Sequence, residues 1–297
     1  ASQLQPLLNP TSKADLRRAR EVLGGALGVM IGRPLPKPGA AVYNPRSQEE
    51  KADYRLQRGT VACGGDTIET TFLYPKKWNH DVILWLTLKG EASIISADGK
   101  LSAGAAQMLK RGYALACPQL YRLGATRNPN VYAADKRKSG GEYEGFAGYH
   151  YGYNPSLFAE RVRDALALIG AIRDNPEPRA HQILVAGVEG AGVIAATATA
   201  LAPTAVHQLA CDTGGFRFAQ LDNVWDVNFL PGAAKYGDVP ALLALCAPIK
   251  TTVVGETQGS ATGVASAFAT AKGRVDFVGV TPSPAVDAVV NALTGRK

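Results

Sequence analysis

The sequence predicts an α/β domain with a mostly parallel, eight-stranded sheet, helices on both faces of the sheet, and a helical arm at the N-terminus. The chain has 297 residues, of which 46% are hydrophobic, and this is enough to bury one large core. Its later part alternates short apolar runs with helix-like segments, as in parallel sheets covered on both faces. We therefore expect an arm and linker over residues 1–50 and one main domain over residues 51–297.

The arm is expected to be a helix over residues 12–32, because Ser12 can cap its start and prolines follow its end. Apolar residues recur there at helical spacing, namely Leu16, Val22, Leu23 and Leu27. We expect Leu16, Leu23 and Leu27 to pack against the main domain, since together they would otherwise expose an apolar patch. Residues 34–51 are rich in proline, glycine and polar residues, and this composition predicts a connector.

Eight strands are predicted in the main domain. The first two form a hairpin around Gly64 and Gly65, and the later ones are unbroken apolar runs. Their bounds are 54–63, 68–74, 82–88, 113–117, 183–187, 207–211, 251–254 and 275–280. Helices are predicted between and after them at 102–111, 156–174, 191–201, 239–245, 260–271 and 285–293. This alternation indicates right-handed crossovers and a doubly wound sheet.

In such sheets, functional sites assemble at the carboxyl ends of the strands, where the chain turns into the next helix. Lys89 and Gly90 follow the third predicted strand, and Tyr121 follows the fourth. We take these three as candidate ligand-binding residues. Asp212 follows the sixth strand and Glu256 the seventh, which makes both candidates for chemistry at the same edge.

Residues 183–192 (ILVAGVEGAG) form an apolar strand, a tight turn flanked by glycine, and a helix start made of small residues. This is the pattern of a nucleophile elbow, where small neighbours permit a strained turn that presents one side chain at the mouth of the sheet. Glu189 takes the presented position, where this architecture normally carries a serine.

Three segments resemble the acetyl xylan esterase-like α/β hydrolases of bacteria: 84–101 (LWLTLKGEASIISADGKL), 149–172 (YHYGYNPSLFAERVRDALALIGAI) and 229–248 (FLPGAAKYGDVPALLALCAP). The chain looks like the second half of long tandem members of that family, and residues 20–36 (REVLGGALGVMIGRPLP) resemble the linker helix between the halves. The resemblance covers nearly the whole chain. It implies an eight-stranded α/β-hydrolase fold, a carbohydrate-ester context and a secreted setting.

The catalytic residues of that family do not carry over to this chain. A serine hydrolase needs a hydroxyl nucleophile, a histidine base, and an acid that orients the histidine. In the family these follow strand five, the last strand and strand seven, respectively. Here Glu189 matches the nucleophile, residues 281–284 (TPSP) hold no histidine, and only Glu256 matches the orienting acid.

His150 is the one histidine that we place near the site, because His80, His181 and His207 precede strands and belong to the opposite edge. The segment around His150 is rich in aromatic residues, including Tyr143, Phe146, Tyr149, Tyr151 and Tyr153. Tyr149, Tyr151 and Tyr153 are candidate ligand-binding residues, since aromatic rings stack on sugars. The alternative is a packed loop whose tyrosine hydroxyls are satisfied internally.

Several roles stay open for Glu189. It could act as a carboxylate nucleophile, or it could be a former catalytic position that now forms a local cap or salt bridge. Glu189, Asp212 and Glu256 end neighbouring strands about 4.8 Å apart, so their carboxylates could also converge on a cation or on a lysine such as Lys89. Paired carboxylates about 5 to 9 Å apart are what glycoside cleavage requires.

The composition limits the classes of partner and cofactor that we expect for this chain. The net charge is +7, but the basic residues mostly do not cluster. The densest runs, Arg17, Arg18 and Arg20 and residues 136–138, are interpreted as solvated faces, so we expect no nucleic-acid partner. No apolar stretch is long enough to span a membrane. The four cysteines lack metal-binding spacing, so no metal, cofactor or disulfide framework is expected, and Cys117 and Cys211 are interpreted as core residues.

These observations lead to an esterase-like domain that has lost its serine-hydrolase chemistry. Its expected role is structural or carbohydrate-binding, beside a catalytic esterase domain or a second copy of the chain. The alternative is an active carbohydrate-directed hydrolase, either an esterase or a glycosidase, that uses Glu189 with His150, Asp212 or Glu256.

Overall fold

The computed structural model describes residues 4–123, 151–175, 179–279 and 285–295. Nine strands in these residues form one sheet in the order β1-β2-β3-β5-β4-β6-β7-β8-β9. The strands are β1 (Ala41–Glu50), β2 (Tyr54–Cys63), β3 (Asp66–Pro75), β4 (Asp81–Leu86), β5 (Ala114–Pro118), β6 (Gln182–Gly187), β7 (Gln208–Asp212), β8 (Lys250–Val254) and β9 (Val275–Val278). Strands β1, β2, β3 and β5 pair antiparallel, whereas β5, β4, β6, β7, β8 and β9 pair in parallel. The mostly parallel sheet is therefore confirmed.

The sequence-based count of eight strands was wrong by one, because residues 34–51 are more than a connector. Strand β1 lies in this segment and pairs with β2 along its length, with a register shift between Pro45 and Ser47. Proline and charged residues are typical of sheet edges, where a strand has only one neighbour, and they hide the strand from pattern analysis. The domain boundary at residues 50 and 51 stays a prediction, although β1 precedes it and belongs to the sheet.

Helices cover both faces of the sheet, as expected. They are α1 (Gln5–Leu8), α2 (Lys13–Ala19), α3 (Gly25–Ile31), α4 (Ala103–Lys110), α5 (Leu157–Asp174), α6 (Gly192–Leu201), α7 (Asp238–Leu245), α8 (Val264–Thr270) and α9 (Ala285–Thr294). One core cluster holds buried residues of α3, α5, α6, α7 and α8, and the other holds those of α4 and α9. The two clusters lie on opposite faces of the sheet, because neighbouring strand residues alternate between them: Val82 and Leu84 belong to one, Ile83 and Trp85 to the other.

The helical arm is confirmed over residues 13–31, where a π-helical turn, Arg20–Gly24, joins α2 to α3. The Ser12 hydroxyl accepts a hydrogen bond from the Asp15 backbone N–H, and the Asp15 carboxylate caps Ser12 in return. Leu16, Leu23 and Leu27 are buried, as predicted. Val22 instead lies at the border of the apolar stripe and is 38% exposed.

Parallel pairing brings the carboxyl ends of β6, β7 and β8 side by side, so the predicted adjacency of the elements that precede Glu189, Asp212 and Glu256 is confirmed. In the described part of the chain, no helix is both long and apolar enough to cross a membrane.

Candidate functional site

The turn after β6 has the backbone geometry of a nucleophile elbow. Glu189 adopts a left-handed conformation with φ of 50°, which is uncommon for a residue with a side chain. Gly190 follows with φ of 89°. The Val188 N–H donates to the carbonyl of Leu86 in β4, and the Ala191 N–H closes the turn on the carbonyl of Val188. The chain therefore keeps the strained turn that presents one side chain at the sheet edge.

Close packing behind the turn explains one of its small residues. Gly192 begins α6, and a Cβ atom at this position would collide with the carbonyl group of Asp212 at the end of β7. Only glycine allows α6 to approach β7 this closely. The elbow sequence thus satisfies the packing of the fold whether or not the presented residue is a nucleophile.

The Glu189 side chain is held by two groups at the end of β4. Lys89 Nζ lies 2.7 Å from Glu189 Oε1, and the Thr87 hydroxyl donates to Oε2 at 2.7 Å. The Glu189 side chain is 19% exposed, whereas the Lys89 side chain is 64% exposed. This is the lysine-neutralised arrangement that the sequence left open.

Two opposing effects act on the ionisation of Glu189. Burial raises the pKa of the carboxyl group, but hydrogen bonds from Lys89, Ser93 and Thr87 lower it, and the pKa lies below its ordinary value. Glu189 is consequently ionised at neutral pH. Both oxygens of this carboxylate are therefore held by donors that follow β4.

Glu189→Ala is expected to lower the free energy of unfolding by about 1 to 2 kcal/mol, because it removes the partner of the buried Thr87 hydroxyl. The lysine adds little to this loss, because Lys89 remains largely hydrated. Glu189→Gln keeps an acceptor for Thr87 and should cost less than the alanine change. Urea unfolding of both variants measures the two values, and an alanine variant as stable as the wild type would contradict the assigned contacts.

Glu256 is the most deeply buried acid of the site, with 1% of the residue exposed. Arg217 binds both of its oxygens, with Nη1 at 2.5 Å from Oε1 and Nη2 at 2.8 Å from Oε2. The hydroxyl of Thr213 donates to Oε1 and that of Ser260 to Oε2. Burial raises the pKa of Glu256, but these donors, Arg217 first, lower it below the ordinary value. Both oxygens are therefore engaged by described neighbours.

Asp212 is half-buried, and its Oδ1 accepts the backbone N–H of Gly214 at 3.0 Å. It lines a cavity of about 170 Å³ beside the elbow, together with Gly190, Thr213, Phe216 and Asn228. This cavity lies behind the turn, and its lining includes Gly190 but not Glu189.

The possible convergence of Glu189, Asp212 and Glu256 on one cation stays a hypothesis, but Glu189 and Glu256 already have separate partners. Glu189 turns to Thr87 and Lys89 next to β4, whereas Glu256 turns to Arg217 beyond β7. Among the residues that the structure describes, no group of three or more His, Cys, Asp or Glu side chains could hold a metal ion. A local cation and hydroxyl groups bind the carboxylates of Glu189 and Glu256, whereas the carboxylate of Asp212 accepts a backbone N–H.

The two tyrosines of the aromatic segment that the structure describes have different environments. The Tyr151 hydroxyl donates to the carbonyl of Val224 at 2.7 Å, and its ring packs against Trp225 and Phe229. These contacts match the packed alternative. Tyr153 is 87% exposed. Tyr149 and His150 lie outside the described residues, as do Tyr143, Phe146 and residues 281–284.

Among the described residues, Tyr121 and Gly90 do not line the 170 Å³ cavity beside the elbow. Tyr121 is 42% exposed and lines a separate cavity of about 590 Å³, in which its backbone N–H donates to Asp164. Gly90 has φ of 59°, and a Cβ atom there would collide with the side chain of Gln119. A role for either residue in ligand binding stays a prediction.

The other histidines lie where the sequence places them, at the amino edge of the sheet. The His181 N–H donates to the carbonyl of His80, and their rings stack with centroids 4.8 Å apart. His207 Nδ1 accepts the backbone N–H of Ile183 at the start of β6. None of these histidines reaches the carboxyl edge.

Sequence reasoning missed Thr87 and Arg217, which supply key contacts of the site. Thr87 directly follows β4, and a hydroxyl at a strand end beside the elbow was a usable indication. Arg217 lies in an irregular loop, and only the burial of Glu256 reveals that this acid needs a cation.

No protein-family model and no curated protein sequence matches the chain. Solved structures are similar in fold. A promiscuous CE15 esterase from a marine bacterial metagenome aligns with a TM-score of 0.64 at 13% identity, over 97% of this chain and 96% of that chain. A glucuronoyl esterase from Solibacter usitatus aligns at 0.63 and 14%, over 96% and 94%. Acetyl xylan esterase 1 from Thermoanaerobacterium sp. JW/SL YS485 aligns at 0.54 and 14%, over 97% and 98%. The chain therefore has the α/β-hydrolase fold.

Proposed function

We propose that this chain is an esterase-like α/β-hydrolase domain that lacks serine-hydrolase activity and serves a structural or carbohydrate-binding role beside a catalytic partner domain. The observation that carries the proposal is the fixed carboxylate of Glu189, which the Lys89 ammonium and the Thr87 hydroxyl hold at the position of the nucleophile. A hydrolase of this fold needs a hydroxyl there that a histidine can deprotonate.

The state of Glu256 supports the same conclusion. An orienting acid must offer an oxygen to the ring N–H of a histidine. Here Arg217, Thr213 and Ser260 engage both oxygens of Glu256. Glu256 thus links the loop that follows β8 to the loop that follows β7 through hydrogen bonds.

Two observations support the carbohydrate context. The solved structures of similar fold include proteins named as a glucuronoyl esterase and an acetyl xylan esterase. The ring of Tyr153 is exposed, and exposed aromatic faces pack well on the C–H surfaces of sugars.

The expected result is that the chain neither reacts with a fluorophosphonate probe nor cleaves a chromogenic acetate ester faster than its denatured form. Glu189→Ser should be equally inactive, since a serine without a base is a weak nucleophile at neutral pH. Intact-mass spectrometry measures labelling, and absorbance measures turnover. Titration with xylo-oligosaccharides, followed by calorimetry, should give binding heat without turnover if the role is carbohydrate binding.

Stoichiometric labelling at any serine would contradict the proposal. Turnover of the ester by the wild type, lost in Asp212→Asn, would favour an active hydrolase instead. Glu189→Gln is measured beside it as the matched variant. Asp212 is the informative position because this residue lines the cavity beside the elbow.

A further inference from the structure

A groove between the N-terminal arm and the main domain is lined by four positively charged side chains. We call it the arm groove, and define it by Lys13, Leu16, Arg17, Arg20, Pro248 and Lys272. Its volume is about 450 Å³. Pro248 precedes β8 and Lys272 precedes β9, so the arm groove lies at the amino edge of the sheet, opposite the elbow.

The four cations of the arm groove, Lys13, Arg17, Arg20 and Lys272, are exposed. None of them forms an ion pair with a carboxylate in the described part of the chain. No acidic residue lines the groove. The acid of the adjoining helix, Asp15, is already bound by Ser12 and Thr11. A concave site with charge of one sign attracts ligands of the opposite sign.

Arg20 occupies a fixed position within this groove. Its Nη2 donates to the carbonyl of Ala247 at 2.6 Å, which orients the guanidinium and leaves other N–H donors for a ligand. Arg20 and Pro248 also line a second cavity of about 370 Å³, which we call the apolar extension. Its walls include Ala200, Pro203 and Leu245. Charged and aliphatic surfaces thus meet at Arg20.

We propose that the arm groove and its apolar extension bind an acidic peptide segment in which carboxylate side chains alternate with aliphatic ones. The carboxylates pair with the four cations, and Arg20 offers a planar fork suited to bidentate binding. Aliphatic side chains enter the apolar extension. This site is separate from the elbow and goes beyond the function proposed above.

The chemistry of the lining favours a peptide over other anions. Neither cavity is lined by an aromatic residue, whereas single-stranded nucleic acids and sugars are bound largely by stacking on aromatic rings. A single small anion would use only the charged half. Two adjoining cavities that share Arg20 and Pro248 fit a ligand with both charged and apolar groups.

The test measures fluorescence anisotropy of a short labelled peptide of alternating glutamate and leucine against three forms of the whole chain. The first is the wild type. The groove variant combines Lys13→Gln, Arg17→Gln, Arg20→Gln and Lys272→Gln. The control variant removes the same charge elsewhere through Lys37→Gln, Lys76→Gln, Lys77→Gln and Lys110→Gln, which are exposed and outside both cavities. Circular dichroism and melting temperature compare the folded states.

The groove variant is expected to raise Kd at least about tenfold, and the control variant less than about threefold. Equal losses in the two variants would overturn the proposal, because they would show attraction to net charge alone. An unchanged Kd in the groove variant would overturn it as well. If the groove variant does not fold, the double change Lys13→Gln and Lys272→Gln replaces it, since both side chains are exposed and their loss should leave the folded state intact.

Two further probes test the ligand class. A peptide with glycine in place of leucine should bind more weakly, because it cannot fill the apolar extension, and equal affinity would overturn the proposal. Tighter binding of oligogalacturonate or of a single-stranded oligonucleotide than of the peptide would overturn it too. These outcomes are independent of ester turnover, so they are distinguishable from failure of the proposed function.

Discussion

Replacement of Glu256 by alanine is expected to lower the free energy of unfolding by about 3 to 5 kcal/mol, the cost of leaving one member of a buried ion pair without its partner. The side chains of Arg217 and Glu256 are 18% and 0% exposed. Without Glu256, the Arg217 guanidinium keeps only backbone acceptors, the carbonyls of Phe216 and Ser260. Neither carbonyl neutralises its charge, and the hydroxyl of Thr213 also loses an acceptor.

Urea unfolding measures this loss, when the wild type and the variant are fitted with the same dependence of the free energy of unfolding on urea concentration. The matched control is Asp276→Ala, which breaks the exposed pair with Arg274 and should cost less than about 1 kcal/mol. The double change Arg217→Met and Glu256→Leu should cost less than the sum of the single changes, because no charge is then left unpaired. A Glu256→Ala variant within about 1 kcal/mol of the wild type would refute the structural role of the pair.

Most of the fold could be predicted because it depends on patterns that are local in sequence. Unbroken apolar runs indicated the parallel strands, and helical spacing indicated α5, α6 and the arm. Strand β1 was missed because an edge strand needs neither alternation nor apolar composition, and its pairing with β2 depends on the rest of the sheet.

The elbow is a case where sequence and structure agree for a physical reason. A left-handed residue between a buried strand and a close-packed helix demands small neighbours, so Gly187, Gly190 and Gly192 identify the turn by their spacing alone. Glu189 could be placed at its tip for the same reason. Its pairing with Lys89 was foreseen as one option, since both residues follow neighbouring strands.

Side-chain direction was the part that the sequence could not supply. Glu189 follows β6 and Glu256 follows β8, the two strands that flank β7. Their side chains turn to different partners, Thr87 and Lys89 in one case and Arg217 in the other. Which partner each carboxylate binds depends on the positions of Thr87 and Arg217 to within about an ångström. Residue spacing along the chain does not determine these positions.

The second large expected effect concerns Asp164. Its contribution to the free energy of unfolding should decrease as the pH rises from about 4 to about 7. The residue is buried on α5. The pKa of its carboxyl group is raised to about 7, mainly because the group is buried. A hydrogen bond from the Tyr121 N–H lowers this pKa, whereas the nearby charges of Glu160 and Asp66 raise it. The charge of Arg161 acts in the opposite direction.

The sign of the effect follows from proton binding. Between the ordinary pKa of 3.8 and about 7, the native state keeps a proton that the unfolded state releases, so rising pH favours unfolding. Each pH unit in this window is worth up to about 1.4 kcal/mol, which gives up to about 4 kcal/mol over the whole window. Above about pH 7 both states are ionised and the contribution is constant.

Asp164→Asn should remove most of this dependence, because an amide oxygen can still accept the Tyr121 N–H without ionising. We expect the variant to be more stable than the wild type at pH 8 by about 2 to 4 kcal/mol and nearly equal to it at pH 4. Urea unfolding at several pH values measures the difference, and the exposed Asp53→Asn serves as the control. Parallel stability curves for the wild type and Asp164→Asn would show that Asp164 is ionised in the folded protein throughout this range, and that a nearby cation compensates its burial.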